Sequence, residues 1–182
     1  MNGSIYIFTF IKKGRLMKKM TMKWQKILKC FHLFFASLWI GGGISLTIMN
    51  FLLKASDGME LFGMNMSMKM IDDLIIIPGA VGSLLTGILY SAFTNWGWFK
   101  HRWITIKWII NIFGVLFGTF FLGPWLNSLP LISIEKGINA LADPLYSTNL
   151  EMLRLFGTFQ VSTIVLALVL SVLKPFRDKK QV

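Results

Sequence analysis

The sequence predicts an all-α protein, an integral membrane four-helix bundle with both termini on the cytoplasmic side. Three observations lead there: an apolar composition, four long apolar runs, and a lopsided distribution of charge. Of 182 residues, 54% are hydrophobic and 15% charged, with a mean hydropathy of +0.62. A water-soluble domain carries about 25% charged residues to cover its surface, so this chain needs a less polar solvent. The same composition excludes intrinsic disorder and a collagen-like repeat, and the lone Cys30 excludes a disulfide scaffold or a thiolate cluster.

Crossing about 30 Å of hydrocarbon takes about 20 helical residues. Runs of that length occur at Ile27–Leu53, Ile71–Phe93, Trp103–Leu126 and Asn149–Leu173. None shows the period-two alternation of a barrel strand. Residues 1–26 are then a basic segment ahead of the membrane domain, 27–173 the four-helix domain, and 174–182 a basic tail. In the first of these, the apolar stretch Asn2–Ile11 precedes Lys12, Lys13 and Arg15, the reverse of a signal peptide. It reads as an amphipathic arm or as a start assigned too early, with Met17 opening the chain.

Short cytoplasmic segments collect Lys and Arg. Lys12, Lys13, Arg15, Lys18, Lys19, Lys23, Lys26 and Lys29 precede the first run, Lys100 and Arg102 link the second to the third, and Lys174, Arg177, Lys179 and Lys180 follow the fourth. The other two loops carry Lys54, Lys69 and Lys136 with most of the acids: Asp57, Glu60, Asp72, Asp73, Glu135 and Asp143. This places both termini in the cytoplasm of a bacterial cell and both acidic loops outside it. The net charge of +11 is thus an orientation signal and an attraction to the anionic lipid bilayer. It is not a nucleic-acid footprint, because the basic pieces are too short to form a folded face.

Small residues recur in every run, at Gly41–Gly43, Gly79, Gly82, Ser83 and Gly87, at Gly114 and Gly118, and at Gly157, Ser162 and Ala167. They read as packing seams, and the GxxxG pair Gly114/Gly118 as a seam for a homo-oligomer. Pro78 is placed to kink the second helix, and the tryptophans, Trp39 and Trp125 included, to sit mostly at interfaces. Glu151 and Arg154 read as an interfacial ion pair, and Asp72 with Asp73 as the acids that open the second helix.

Ionisable groups inside apolar spans are costly, so the few present are informative. His32 lies about five residues into the first span and Lys107 about four into the third, both entering from the cytoplasm and so at about 6–8 Å depth. Asn111 follows Lys107 by one turn on the same face, and His101 lies in the link just before. A neutral imidazole can ligate haem iron and a nearby cation can bind a propionate. The plainer use is a lysine snorkelling to headgroups and a histidine satisfied by a backbone carbonyl.

The second candidate is the first outer loop. Met64, Met66, Met68 and Met70 alternate there, and in an extended segment they would present four thioethers on one side, a soft site for Cu(I). Methionine also fills irregular gaps in cores. No phosphate loop, zinc-protease motif or nucleophile elbow is present.

Lys29-Cys-Phe-His32 with Trp39-Ile-Gly-Gly, Ile77-Pro78-Gly79 with Leu85-Thr86-Gly87, and Trp98-Phe-Lys-His101-Arg-Trp-Ile-Thr-Ile-Lys107 resemble the first three helices of a broad group of small bacterial membrane proteins. The group includes the CopD-like copper-resistance proteins and the HemJ-type protoporphyrinogen oxidases. The resemblance covers residues 23 to 126. It implies a four-helix membrane fold, haem b, porphyrin oxidation or electron transfer, and His32 and Lys107 as the functional pair. The alternatives are copper uptake or tolerance, with the Met64 to Met70 loop as an external Cu(I) collector, and a membrane scaffold or subunit with no chemistry of its own. The methionine-rich first outer loop and the long second one, Asn127 to Thr148, depart from the HemJ-type pattern and place the chain among relatives without an assigned activity.

Overall fold

A computed structural model describes residues 20–94, 97–99 and 101–173. The early-start expectation at Met17, the cluster Lys12–Lys19, Lys100, Trp96 and the basic tail 174–182 lie outside the described residues. Four helices, each long and apolar enough to cross a membrane, account for nearly all the rest: α1, Met22–Leu52; α2, Gly58–Phe93; α3, Arg102–Ala142; and α4, Pro144–Leu173. Their outward faces carry exposed Phe31, Phe34 and Ile48 on α1, Leu85 on α2, Ile109 and Phe113 on α3, and Phe159 and Val169 on α4. Such a surface is stable against hydrocarbon rather than water.

The helices run antiparallel in sequence order. At one end, Met20 N–H donates to the Phe93 carbonyl at 3.0 Å, joining the start of α1 to the end of α2. We call this the terminal end, and the opposite one the cap end. Close approach of α1 and α2 depends on glycine. A Cβ at Gly79 would stand 2.7 Å from the Trp39 backbone nitrogen, and one at Gly82 2.4 Å from the Phe35 ring. With no side chain, the two backbones touch and dispersion contacts accumulate along the seam.

Gly114 and Gly118 serve the same purpose inside the bundle. A Cβ at Gly114 would lie 3.2 Å from the Trp39 ring, and one at Gly118 3.6 Å from Gln160 Nε2. The pair therefore admits Trp39 of α1 and Gln160 of α4. Trp39 is 3% exposed, about 18 Å along α1 from Ile27, so it is a central packing residue and not part of an interfacial belt.

Each of α2, α3 and α4 contains one π-helical turn, at Asp72–Ile76, Gly118–Leu122 and Leu153–Gly157. Two of them immediately precede an X-Pro pair. Ile77 N–H reaches back five residues to the Asp72 carbonyl ahead of Pro78, and Gly123 N–H to the Gly118 carbonyl ahead of Pro124. A proline ring clashes with the carbonyl four residues back, and the wider turn moves that carbonyl aside. The helix therefore continues through Pro78. Asp72 and Asp73 lie in this turn, mid-helix, while the start of α2 belongs to Asp57, whose carboxylate accepts from Glu60 N–H at 2.9 Å.

The helices reach further than the apolar runs. At 36 and 41 residues, α2 and α3 are about 54 and 62 Å long, well beyond the hydrocarbon thickness. Both acidic loops are therefore helical over most of their length. Gly58–Ile71, Gly123–Lys136 and Pro144–Met152 pack into a cap around Leu61, Met68, Leu126, Leu129, Tyr146 and Leu153, all 7% exposed or less. At its centre Asn65 Nδ2 donates to Ser133 Oγ and Tyr146 OH, each at 3.2 Å, and Tyr146 OH donates to Asn65 Oδ1 at 3.2 Å. Buried polar groups are thereby satisfied by one another. This dense core at the cap end leaves the terminal end more open.

Candidate functional site

Between the four helices at the terminal end lies a cavity of about 570 Å³, within the range of small-molecule and cofactor sites. Its walls come from every helix: Lys29, His32, Ala36 and Trp39 of α1, Ser83, Gly87 and Tyr90 of α2, Trp103, Lys107, Trp108 and Asn111 of α3, and Ile164, Ala167 and Ser171 of α4. The spacings are those of inward helical faces, three or four residues apart. Toward the bundle centre the cavity ends on Trp39 and Ile164, which pack with Ala80.

His32 and Lys107 thus face one space from two helices 75 positions apart in sequence number. Nδ1 of His32 lies 2.8 Å from Thr86 Oγ1. The Thr86 hydroxyl has a single proton, and it is directed to its own helix, at 2.6 Å from the Gly82 carbonyl and 3.1 Å from that of Ser83. Threonine in a helix commonly back-bonds this way. Oγ1 is then the acceptor, Nδ1–H the donor, and the neutral imidazole keeps its lone pair on Nε2. A ring held by one nitrogen and basic at the other is the arrangement that metal-ligating histidines use.

Lys107 Nζ stands 5.9 Å from the centre of the Trp103 ring, a cation–π contact. Among the described residues it makes no ion pair; those present are Lys69–Asp73 and Lys136–Asp143, both toward the cap end. Among the described residues no Asp or Glu lines the cavity. Asn111 lines it beside Lys107, its Nδ2 donating to the Lys107 carbonyl at 2.9 Å and its Oδ1 left as an acceptor. Gln160, one turn below Ile164, donates from Nε2 to the Gly114 carbonyl at 3.1 Å, while its Oε1 is buried without a hydrogen-bond partner.

Other expected groups lie elsewhere. His101 precedes α3 and stacks on Trp103 at 6.2 Å, but it does not line the cavity, so the cavity receives one imidazole. The methionine segment is helical, and this removes the extended geometry that would set four thioethers on one side. At helical spacing Met64 and Met68 share one face and Met66 and Met70 another; Met68 is 3% exposed in the cap core, Met70 52% exposed. Arg154 does not pair with Glu151. It lies in the α4 π-turn, donates from Nε to the Asn50 carbonyl at 2.9 Å and covers the Phe51 ring at 5.7 Å. Among the described residues no three His, Cys, Asp or Glu side chains gather as a metal-holding group.

Thr86 and Lys29 were not singled out by the sequence pattern as site residues. Gly79, Gly82, Ser83, Thr86, Gly87 and Tyr90 repeat at three and four residues along α2, and that periodicity marks its inward face. No family model, curated protein or solved structure matches the chain.

Proposed function

We propose that the protein is a multi-pass membrane protein of the bacterial plasma membrane that binds haem b or a related tetrapyrrole in the cytoplasmic leaflet. The observation that carries this reading is the shared cavity: an imidazole with Nε2 as its lone-pair nitrogen and a lysine without a carboxylate partner among the described residues face one space with aromatic walls. The concentration of basic residues at the terminal end supports placing that end inside the cell. The likeness of the His32 and Lys107 segments to the HemJ-type group points the same way.

The residues suit the group. His32 offers a ligand from Nε2 while Thr86 holds the ring through Nδ1. A lysine in a half-buried apolar site without a counter-ion is costly, and an incoming carboxylate offsets that cost. Lys107 would therefore hold a propionate, with Trp103 limiting its rotamers and Asn111 Oδ1 available as an acceptor. Trp39, Ala80 and Ile164 exclude water from the deep end. Bound there, an iron tetrapyrrole supplies one-electron redox chemistry.

The test is purification from cells grown with ample haem supply. A Soret band that co-purifies in stoichiometric amount is expected, and Lys107→Gln should weaken haem binding about tenfold while Lys107→Arg retains it. Protein that neither carries a Soret band nor acquires one on haem titration would overturn the reading.

A further inference from the structure

The cavity has a second cation at its mouth. Lys29 lies one turn before His32 on α1, lines the same cavity as Lys107, and is otherwise exposed. Neither lysine is ion-paired among the described residues. The surrounding charge gives no balance either. All seven described acids, Asp57, Glu60, Asp72, Asp73, Glu135, Asp143 and Glu151, lie in the cap-side parts of α2, α3 and α4 or the turns beside them, and none lines the cavity. Among the described residues the cavity is thus lined by one sign of charge, with one cation deep, against Trp103, and one shallow. Low-dielectric walls around a cavity lined by one sign of charge focus that field on its contents.

Two unbalanced cations at two depths fit a ligand with two acidic groups better than a ligand with one. We propose that Lys29 is a second anion-binding group, so that the cavity selects amphiphiles bearing two acidic groups over those bearing one. The proposal rests on the tetrapyrrole reading and extends it to the second acid. Lys107 then holds one acid at depth and Lys29 the other at the mouth. Because Lys29 is exposed, its contribution is discounted for screening and amounts to about three- to tenfold in affinity. A lipid phosphate offers Lys29 the same chemistry as a ligand carboxylate, and the experiment separates the two sources.

Full-length protein in detergent is titrated with protoporphyrin IX, its monomethyl ester and its dimethyl ester, following fluorescence, with and without added phosphatidylglycerol. The expected result is a three- to tenfold preference of the unmodified protein for the diacid over the monoester, surviving added lipid. That preference should fall to about one in Lys29→Gln and return in Lys29→Arg. Equal diacid-to-monoester ratios in the unmodified protein and Lys29→Gln would overturn the proposal. So would a preference abolished by phosphatidylglycerol, which would assign Lys29 to lipid phosphate. Porphyrin binding without discrimination removes the role of Lys29 alone, whereas no binding of any of the three porphyrins overturns the proposal, and removes the tetrapyrrole reading with it when haem titration also gives no Soret band.

Discussion

His32 and Thr86, 54 residues apart, meet at 2.8 Å across the α1–α2 seam, and the hydroxyl proton of Thr86 is already spent on its own backbone. The contact fixes which imidazole nitrogen is free. Thr86→Val keeps the shape but removes the hydroxyl acceptor, leaving the ring less firmly held. Haem affinity should fall about 10- to 100-fold in a Soret titration, as for other groups that orient a metal ligand. Thr86→Ser should stay within a few-fold of the unmodified protein.

The α1–α2 seam that creates this contact depends on Gly79. A Cβ there would meet the Trp39 nitrogen at 2.7 Å and the Phe35 carbonyl oxygen at 3.0 Å, backbone atoms that cannot step aside. Gly79→Ala should cost about 1–3 kcal/mol of stability, as overpacked sites do. Gly41 is the control on the neighbouring helix. Nothing lies within 4 Å of its Cβ position, so Gly41→Ala should gain about 0.5–1 kcal/mol through helix propensity. Thermal unfolding in one detergent ranks the two variants, and equal melting temperatures would contradict the close-packed seam.

At the cap end, stability should depend on acid pH through Asp143. Its carboxylate accepts from Lys136 and from the Leu145 and Tyr146 backbone N–H groups at the start of α4. The Lys136 hydrogen bond, followed by that from Tyr146, holds the carboxyl below its usual range. A folded value below the unfolded one, about 3.9, gives stabilisation that is complete above pH 4 and is lost as pH falls through the folded value. Asp143→Asn should flatten the decline in melting temperature below pH 4 and lower stability at pH 7. An unchanged acid limb would contradict the assignment.

The four long apolar helices were legible because hydrocarbon sets the length of an apolar run, whatever packs beside it. The cap was not, since Asn65, Ser133 and Asn149 lower the local hydropathy and become buried only by meeting partners far along the chain. Local signals for its helices were nonetheless present. Asp57-Gly-Met-Glu60 has the spacing of a helix start, and Asp143-Pro144 places a capping acid before a proline at the first helical position. His32 and Lys107 could be paired by counting depth from a common boundary. Thr86 could not, because its position opposite His32 depends on the α1–α2 register, which in turn depends on Gly79 and Gly82. Gly114 and Gly118 illustrate the same limit: a small-residue pair announces close approach but does not name the helix that approaches.

The most direct test of the account is chemical replacement of the His32 side chain. His32→Gly, purified and titrated with haem, should lose the Soret shift of the unmodified protein and recover it when free imidazole is added, since the small ring can occupy the space beside Thr86 and supply the missing nitrogen. A His32→Gly protein that binds haem with unchanged affinity and spectrum, with no response to imidazole, would contradict the assignment of this cavity.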